Sequence, residues 1–193
     1  MTDLSAAAAL ALAIEAAREA GALLLEMRRS PATGVRSKSS ATDLVSEADE
    51  RAERAIVTTI RRQRPDDTLV AEEGSNADGS SGVSWFVDPL DGTINYLYGI
   101  PHWSVSICCA DTDGPLAGVV YDPLRGELFS AARGSGARLG NAQLAVTDKG
   151  DLASALIATG FEPRNITNTQ STSVTTTSKS PAGPPCGDRM YSS

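Results

Sequence analysis

Trp85-Phe86-Val87-Asp88-Pro89-Leu90-Asp91-Gly92-Thr93 is the stretch on which the reading of this chain turns. Trp85, Phe86 and Val87 read as a buried strand that delivers Asp88 to its end, and Pro89, with no N–H to give to a sheet, forces a turn there. The turn directs the Leu90 carbonyl and the Asp91 carboxylate the same way. Gly92 and Thr93 then open a short helix through about residue 98, which Gly99 ends. Carboxylates beside a backbone carbonyl make a hard-oxygen site suited to Mg²⁺. A helix start offers free N–H groups to a phosphate. Metal and anion sites side by side point to phosphoryl transfer to water.

Upstream, residues 68–71 form a short apolar run that ends in Glu72 and Glu73, and residues 74–82, made largely of Gly, Ser, Asn and Asp, read as a loop. Two helices come before it. Ser5 caps the first, which runs to about Arg29, with Leu10, Ile14, Ala17, Gly21 and Leu24 as one apolar stripe. Arg28 and Arg29 suit its C-terminal end, and Pro31 stops it. A polar stretch covers residues 33–42. The second helix begins near Ser46, where Ser46 and Asp49 have the spacing of a capping box. Its buried side is Ala48, Ala52, Ala55, Ile56 and Ile60, and Pro65 ends it.

Downstream the pattern is of strands: residues 83–87, stopping at Asp88-Pro89, then 103–110, 116–121 and 127–131. A hairpin follows over 138–146 with Gly140-Asn141 at its tip, then a last strand over 155–159. Two helices followed by hairpin-linked strands give an α+β class, two helices packed on a mainly antiparallel sheet. Asp111-Thr112-Asp113-Gly114 reads as a hairpin turn, since a calcium loop would need a distal Glu and a flanking helix. Gly134-Ser135-Gly136 precedes a strand and so fails as a dinucleotide-binding turn. His102, the sole histidine, reads as structural, and Cys108 and Cys109 as core residues on opposite faces of a strand.

The 193 residues carry 17 basic and 24 acidic side chains, a formal charge of −7, with 41% hydrophobic content. That suits one compact domain, or one domain plus a tail, and argues against non-specific binding to nucleic acid. No apolar run reaches about 18 residues, so no membrane span is expected. The Ala-rich start lacks a basic leader and reads as a helix. Three cysteines, at 108, 109 and 186, give an odd count without regular spacing, which suggests reduced thiols and a cytoplasmic setting. From 165 to 193 there are 29 residues, of which 12 are Ser or Thr, too little apolar surface for a packed core. The domain reading is therefore 1–162 as a metal-binding domain and 163–193 as a disordered Ser/Thr-rich tail.

Asp88-Pro89-Leu90-Asp91-Gly92-Thr93, preceded by Trp85-Phe86-Val87 and followed by Ile94-Asn95-Tyr96, resembles the signature of the inositol monophosphatase family. Glu72-Glu73-Gly74 resembles its upstream acidic motif, and Asp43-Leu44-Val45-Ser46-Glu47-Ala48-Asp49 the segment before that. The likeness covers roughly residues 4–161. It implies a Mg²⁺-dependent, lithium-sensitive sugar phosphatase of layered αβαβα architecture, usually a homodimer, acting on a small phosphorylated polyol without nucleic acid or membrane. Carried over by position, it implies that Glu72, Asp88 and the Leu90 carbonyl hold one Mg²⁺, and that Asp88 and Asp91 hold a second. Gly92 and Thr93, with Asp91, would receive the phosphate. Thr93 with Asp49 would orient and deprotonate the attacking water, assisted by Glu72, with Glu73 and Lys38 as accessory groups.

The family's later Trp-Asp motif and second α/β half do not follow Gly160-Phe161. The resemblance thus implies the N-terminal half of the fold, a weakened second metal site and impaired hydrolysis. Inositol 1-phosphate is the leading substrate. The alternatives are a histidinol-phosphate, fructose-bisphosphate or adenosine bisphosphate phosphatase, or an inactive fragment that binds metal or a family partner.

Overall fold

The structure, a computed structural model, describes residues 4–29, 36–37, 44–45, 47–148, 150–151 and 153. Helix α1 (Ala6–Arg28) starts where the Ser5 hydroxyl accepts a hydrogen bond from the Ala8 amide at 3.2 Å, satisfying one of the donors a first turn leaves open. Its buried face comprises Ala9, Leu12, Ala13, Ala16, Ala17, Ala20, Gly21 and Leu24. Leu10 and Ile14 of the expected stripe are only half-buried. The small side chains take the closest contact because they let the helix axis approach its neighbours, and the larger ones flank it. At Gly21 the approach is so close that a Cβ would lie 2.6 Å from a Tyr121 ring carbon and 2.8 Å from Pro123.

A two-residue pairing of β1 (Arg36–Ser37) with β2 (Leu44–Val45) follows, antiparallel, around the stretch expected to be polar loop. Helix α2 (Glu47–Gln63) ends ahead of Pro65 and buries Ala48, Ala52, Ile56 and Ile60 as the apolar spacing predicts, with Ala55 half-buried. The same face also buries Asp49, Glu53 and Thr59. Ser46, the expected cap, lies outside the described residues, and Asp49 meets Thr93 across the fold.

The remaining strands form one sheet in sequence order: β3 (Thr68–Ala71), β4 (Ser84–Asp91), β5 (Ser104–Asp111), β6 (Gly114–Asp122), β7 (Glu127–Ala132), β8 (Gly136–Leu139) and β9 (Ala142–Leu144). β3 runs parallel to β4, and every later pair is antiparallel. Helix α3 (Thr93–Leu97) interrupts the order between β4 and β5. α1 packs on β5, β6 and β7, α2 packs on β4, and the two helices pack on each other. Trp85, Val105, Ile107 and Val119 from the sheet meet Leu24, Ile56 and Ile60 from the helices in one core. This is the α+β class that the hydrophobic periods predict.

β4 departs from expectation by running through Asp88-Pro89 to Asp91 instead of stopping there. The proline falls where the β4–β5 register shifts, between Asp88 and Asp91. A bulge needs no ladder N–H, so Pro is tolerated there. The turn at 111–114 is a hairpin, with Asp111 accepting from the Asp113 amide at 2.8 Å. Gly140-Asn141 links β8 to β9, Gly140 having a φ of 56°. Cys109 is free and buried, as the expectation of reduced thiols has it at that position. The strand expected over 155–159 and the tail expected from 163 lie outside the described residues. Among the described residues no helix is long and apolar enough to cross a membrane.

Candidate active site

Because β3 and β4 are parallel neighbours, their C-terminal ends lie side by side. Glu72 follows β3, and its amide donates to the Val87 carbonyl at 3.1 Å. That bond carries the strand pairing one residue further and sets Glu72 beside Asp88. Asp88 is pushed far above the usual carboxylate range, first by burial, then by the charges of Glu72 and Asp91 and a hydrogen bond shared with Glu72. The Leu90 amide, donating to Asp88 Oδ1 at 3.1 Å, works the other way. Asp91 is pushed up to about 6, first by burial and then by the Glu72 charge, with His102 opposing. Glu72 and Asp91 therefore make the charge of Asp88 more costly, and Glu72 does the same to Asp91.

Past the bulge, Gly92 has a φ of 89° and forms the N-cap of α3 with no side-chain cap bond. A Cβ there would lie 3.0 Å from the His102 carbonyl oxygen, so both conformation and space call for glycine. Tyr96 anchors the short helix. Its hydroxyl donates to the Leu24 carbonyl at 2.9 Å, and its ring meets Trp103 edge-on at 5.1 Å. The Thr93 hydroxyl stands 3.2 Å from Asp49 Oδ1 and 3.1 Å from the Leu90 carbonyl oxygen. Asp49 itself is fully buried on α2.

The fold thus gathers Glu72, Asp88, the Leu90 carbonyl, Asp91, Gly92, Thr93 and Asp49 around the ends of β3 and β4 and the starts of α2 and α3. Lys38 lies outside the described residues. Glu73 is half-buried, and its amide donates to Glu53 Oε2 at 2.6 Å. Sequence reasoning missed Glu53 and took His102 as structural only. His102 is exposed and acts on Asp91, which no local pattern announces. Glu53 had a signal, since positions 49, 53, 56 and 60 share the spacing of one helix face.

The donor set is all hard oxygen, three carboxylates and a carbonyl, which is the chemistry of Mg²⁺ and not of a thiol- or imidazole-loving ion. The mutual repulsion at Asp88 and Asp91 is what a divalent cation would offset. Among the described residues no group of three or more His, Cys, Asp or Glu side chains is placed to hold a metal ion as the side chains stand, so the fit rests on donor chemistry and shared charge.

A family model described as the inositol monophosphatase family matches residues 6–185. The protein named Nus factor SuhB of Pasteurella multocida (strain Pm70) is 42% identical over 154 residues, covering 78% of this chain and 57% of its own length. Among solved structures, the extragenic suppressor protein suhB from Bartonella henselae has a TM-score of 0.70 at 37% identity, covering 74% of this chain and 55% of that one. The Thermotoga maritima IMPase has a TM-score of 0.64 at 34% identity, covering 70% and 52%. The chain spans just over half the length of these relatives.

Proposed function

Since this chain belongs to the inositol monophosphatase family, we propose that it hydrolyses a phosphate monoester with the help of Mg²⁺, and that inositol 1-phosphate is cleaved to inositol and phosphate. The observation that carries the reading is the meeting of Glu72, Asp88 and Asp91 with the Thr93–Asp49 pair. In this reading Glu72, Asp88 and the Leu90 carbonyl hold one ion, and Asp88 and Asp91 a second. When bound, such ions supply Lewis-acid activation of a water and neutralise charge on the ester oxygens.

The chain's own residues do the rest. The Thr93 hydroxyl donates toward Asp49 or Leu90 and keeps lone-pair capacity for a water O–H. Thr93 thereby orients the water, and its proton passes by way of the hydroxyl to Asp49, with Glu72 close by to assist. The amides of Gly92 and Thr93, at the side-chain-uncapped start of α3, receive phosphate oxygens alongside Asp91. The ester P–O bond breaks as the water's P–O bond forms; the water's second hydrogen stays on the new phosphate oxygen, the leaving sugar oxygen takes its proton from a solvent water, and Asp49 returns the proton it received to solvent.

Phosphate release from inositol 1-phosphate, with and without Mg²⁺ and with added Li⁺, tests this. The expected result is Mg²⁺-dependent release that Li⁺ suppresses. Release only from histidinol phosphate, fructose bisphosphate or adenosine bisphosphate would move the substrate and keep the reaction class. A second reading draws on the name Nus factor carried by a relative: service in an assembly without catalysis. A folded, Mg²⁺-binding chain that releases no phosphate from any of these esters would favour it.

A further inference from the structure

We infer that Glu53 is a positioning residue for Glu72, holding the loop that carries it from the buried face of helix α2. This rests on the phosphatase reading only in making Glu72 a metal-holding group. Glu53 is 1% exposed. A carboxylate buried to that degree is costly unless donors surround it. Its two oxygens are each taken by a backbone amide of the same turn: Oε2 accepts from Glu73 at 2.6 Å and Oε1 from Ser75 at 2.9 Å. Charge-assisted bonds of this kind are stronger and stiffer than neutral ones.

The turn they grip is otherwise held at its edges. The Ala71 amide donates to Asn76 Oδ1 at 2.8 Å, and the Gly74 amide to the Ala71 carbonyl at 3.2 Å, with Gly74 at a φ of 101°. Glu72 is thus pinned on one side by its own amide on Val87 and on the other by its neighbour's amide on Glu53. One helical turn before Glu53, Asp49 meets Thr93. Positions i and i+4 share a helix face, so a single face of α2 sets both the β3 exit, with Glu72, and the β4 exit, with Thr93. The relative placement of the two halves of the site is then fixed by one rigid element. Groups that orient metal-holding side chains typically cost about 10- to 100-fold in affinity or activity when altered.

The test compares the wild-type chain, Glu53→Gln, Glu53→Ala and Glu50→Gln, the last removing the same charge from a position of α2 away from the turn. Amide hydrogen exchange at Glu73 and Ser75, Mn²⁺ affinity by electron paramagnetic resonance, and thermal melts are measured on each. Glu53→Gln keeps one acceptor oxygen and the shape, so it should stay folded, exchange faster at Glu73 and Ser75, and bind Mn²⁺ about tenfold more weakly. Glu53→Ala, where folded, should lose more, and Glu50→Gln nothing. In turnover the loss should fall on kcat and be restored by raised Mn²⁺, with KM for the ester unmoved. A Glu53→Gln protein that melts earlier but binds Mn²⁺ as the wild type does would overturn the inference. So would a folded variant whose exchange at Glu73 and Ser75 is unchanged. If the wild-type chain binds no Mn²⁺, it is the phosphatase reading that fails, and the exchange comparison alone then decides the role of Glu53.

Discussion

Asp88 is the residue at which the most demands meet. It sits half-buried between Glu72 and Asp91, where lost solvation resists its charge, and the Leu90 amide gives it a single opposing bond. Asp88→Asn is expected to abolish measurable Mg²⁺ binding, because the proposal has both ions share this carboxylate. Asp91→Asn should leave the first site weakened by roughly tenfold. Calorimetric titration of the two variants checks the division of roles, which equal losses would sink. The same substitution at Asp88 removes one of three crowded charges, so the metal-free variant should melt higher than the metal-free wild type. Stability given up at a site in this way is a common companion of function. None of this crowding was legible locally. Asp88, Asp91 and Glu72 could be named from the acidic motifs, but the half-buried positions and raised proton affinity of Asp88 and Asp91 come from what stands around them.

At the scale of the elements, α1 and β6 approach so closely that one hydrogen atom decides the fit. Gly21 leaves no room for a methyl group between helix and Tyr121, with Pro123 beside it. Gly21→Ala should cost about 1–3 kcal/mol, in the range for overpacking a filled core, even though alanine favours a helix more than glycine does. Gly126→Ala meets no neighbour and is strained only by its φ of 67°, so its cost should be smaller. Chemical denaturation of both variants separates packing from propensity. A Gly21→Ala chain as stable as the wild type would show that α1 can move away freely. The periods of α1 and α2 were readable because one face of each must be apolar. The rotation of α1 onto its alanines was not, because it depends on how near the sheet comes.

Across the whole molecule, Asp67 ties the exit of α2 to the sheet. Arg64 donates to it twice, Nε to Oδ2 at 2.8 Å and Nη2 to Oδ1 at 2.9 Å. Ser81 donates at 2.6 Å, and the indole N–H of Trp85 at 2.9 Å. Burial, the largest influence, works against the charge, and the bonds from Arg64, Ser81 and Trp85 outweigh it, holding Asp67 below the usual carboxylate range. A lowered folded value means that the unfolded chain takes up the proton first as pH falls. The stabilisation is therefore complete above about 4, the unfolded value of an aspartate, and is lost as pH drops through the folded value. Asp67→Asn should cost about 1–3 kcal/mol near neutral pH, with the gap to the wild type closing below about pH 4. Urea melts across that range check it, and a gap independent of pH would contradict the assignment.

Local patterns carry what local forces decide. The Ser5 cap, the ends of α2 ahead of Pro65, the hairpins at 111–114 and 140–141, and the glycine at position 92 follow from backbone dihedrals, missing donors and side-chain period within a few residues. The acidic motifs and the class of the fold were readable on the same grounds. Which partner a buried polar group finds was decided only in three dimensions. Asp49 and Thr93 are 44 positions apart, and Glu53 and Glu73 are 20 apart. Asp49 has the same one-dimensional surroundings whether it faces a helix cap or a threonine on another loop. A buried carboxylate must be satisfied, but the chain alone does not say by whom. The parallel pairing of β3 with β4 and the seating of α2 across their ends make that choice.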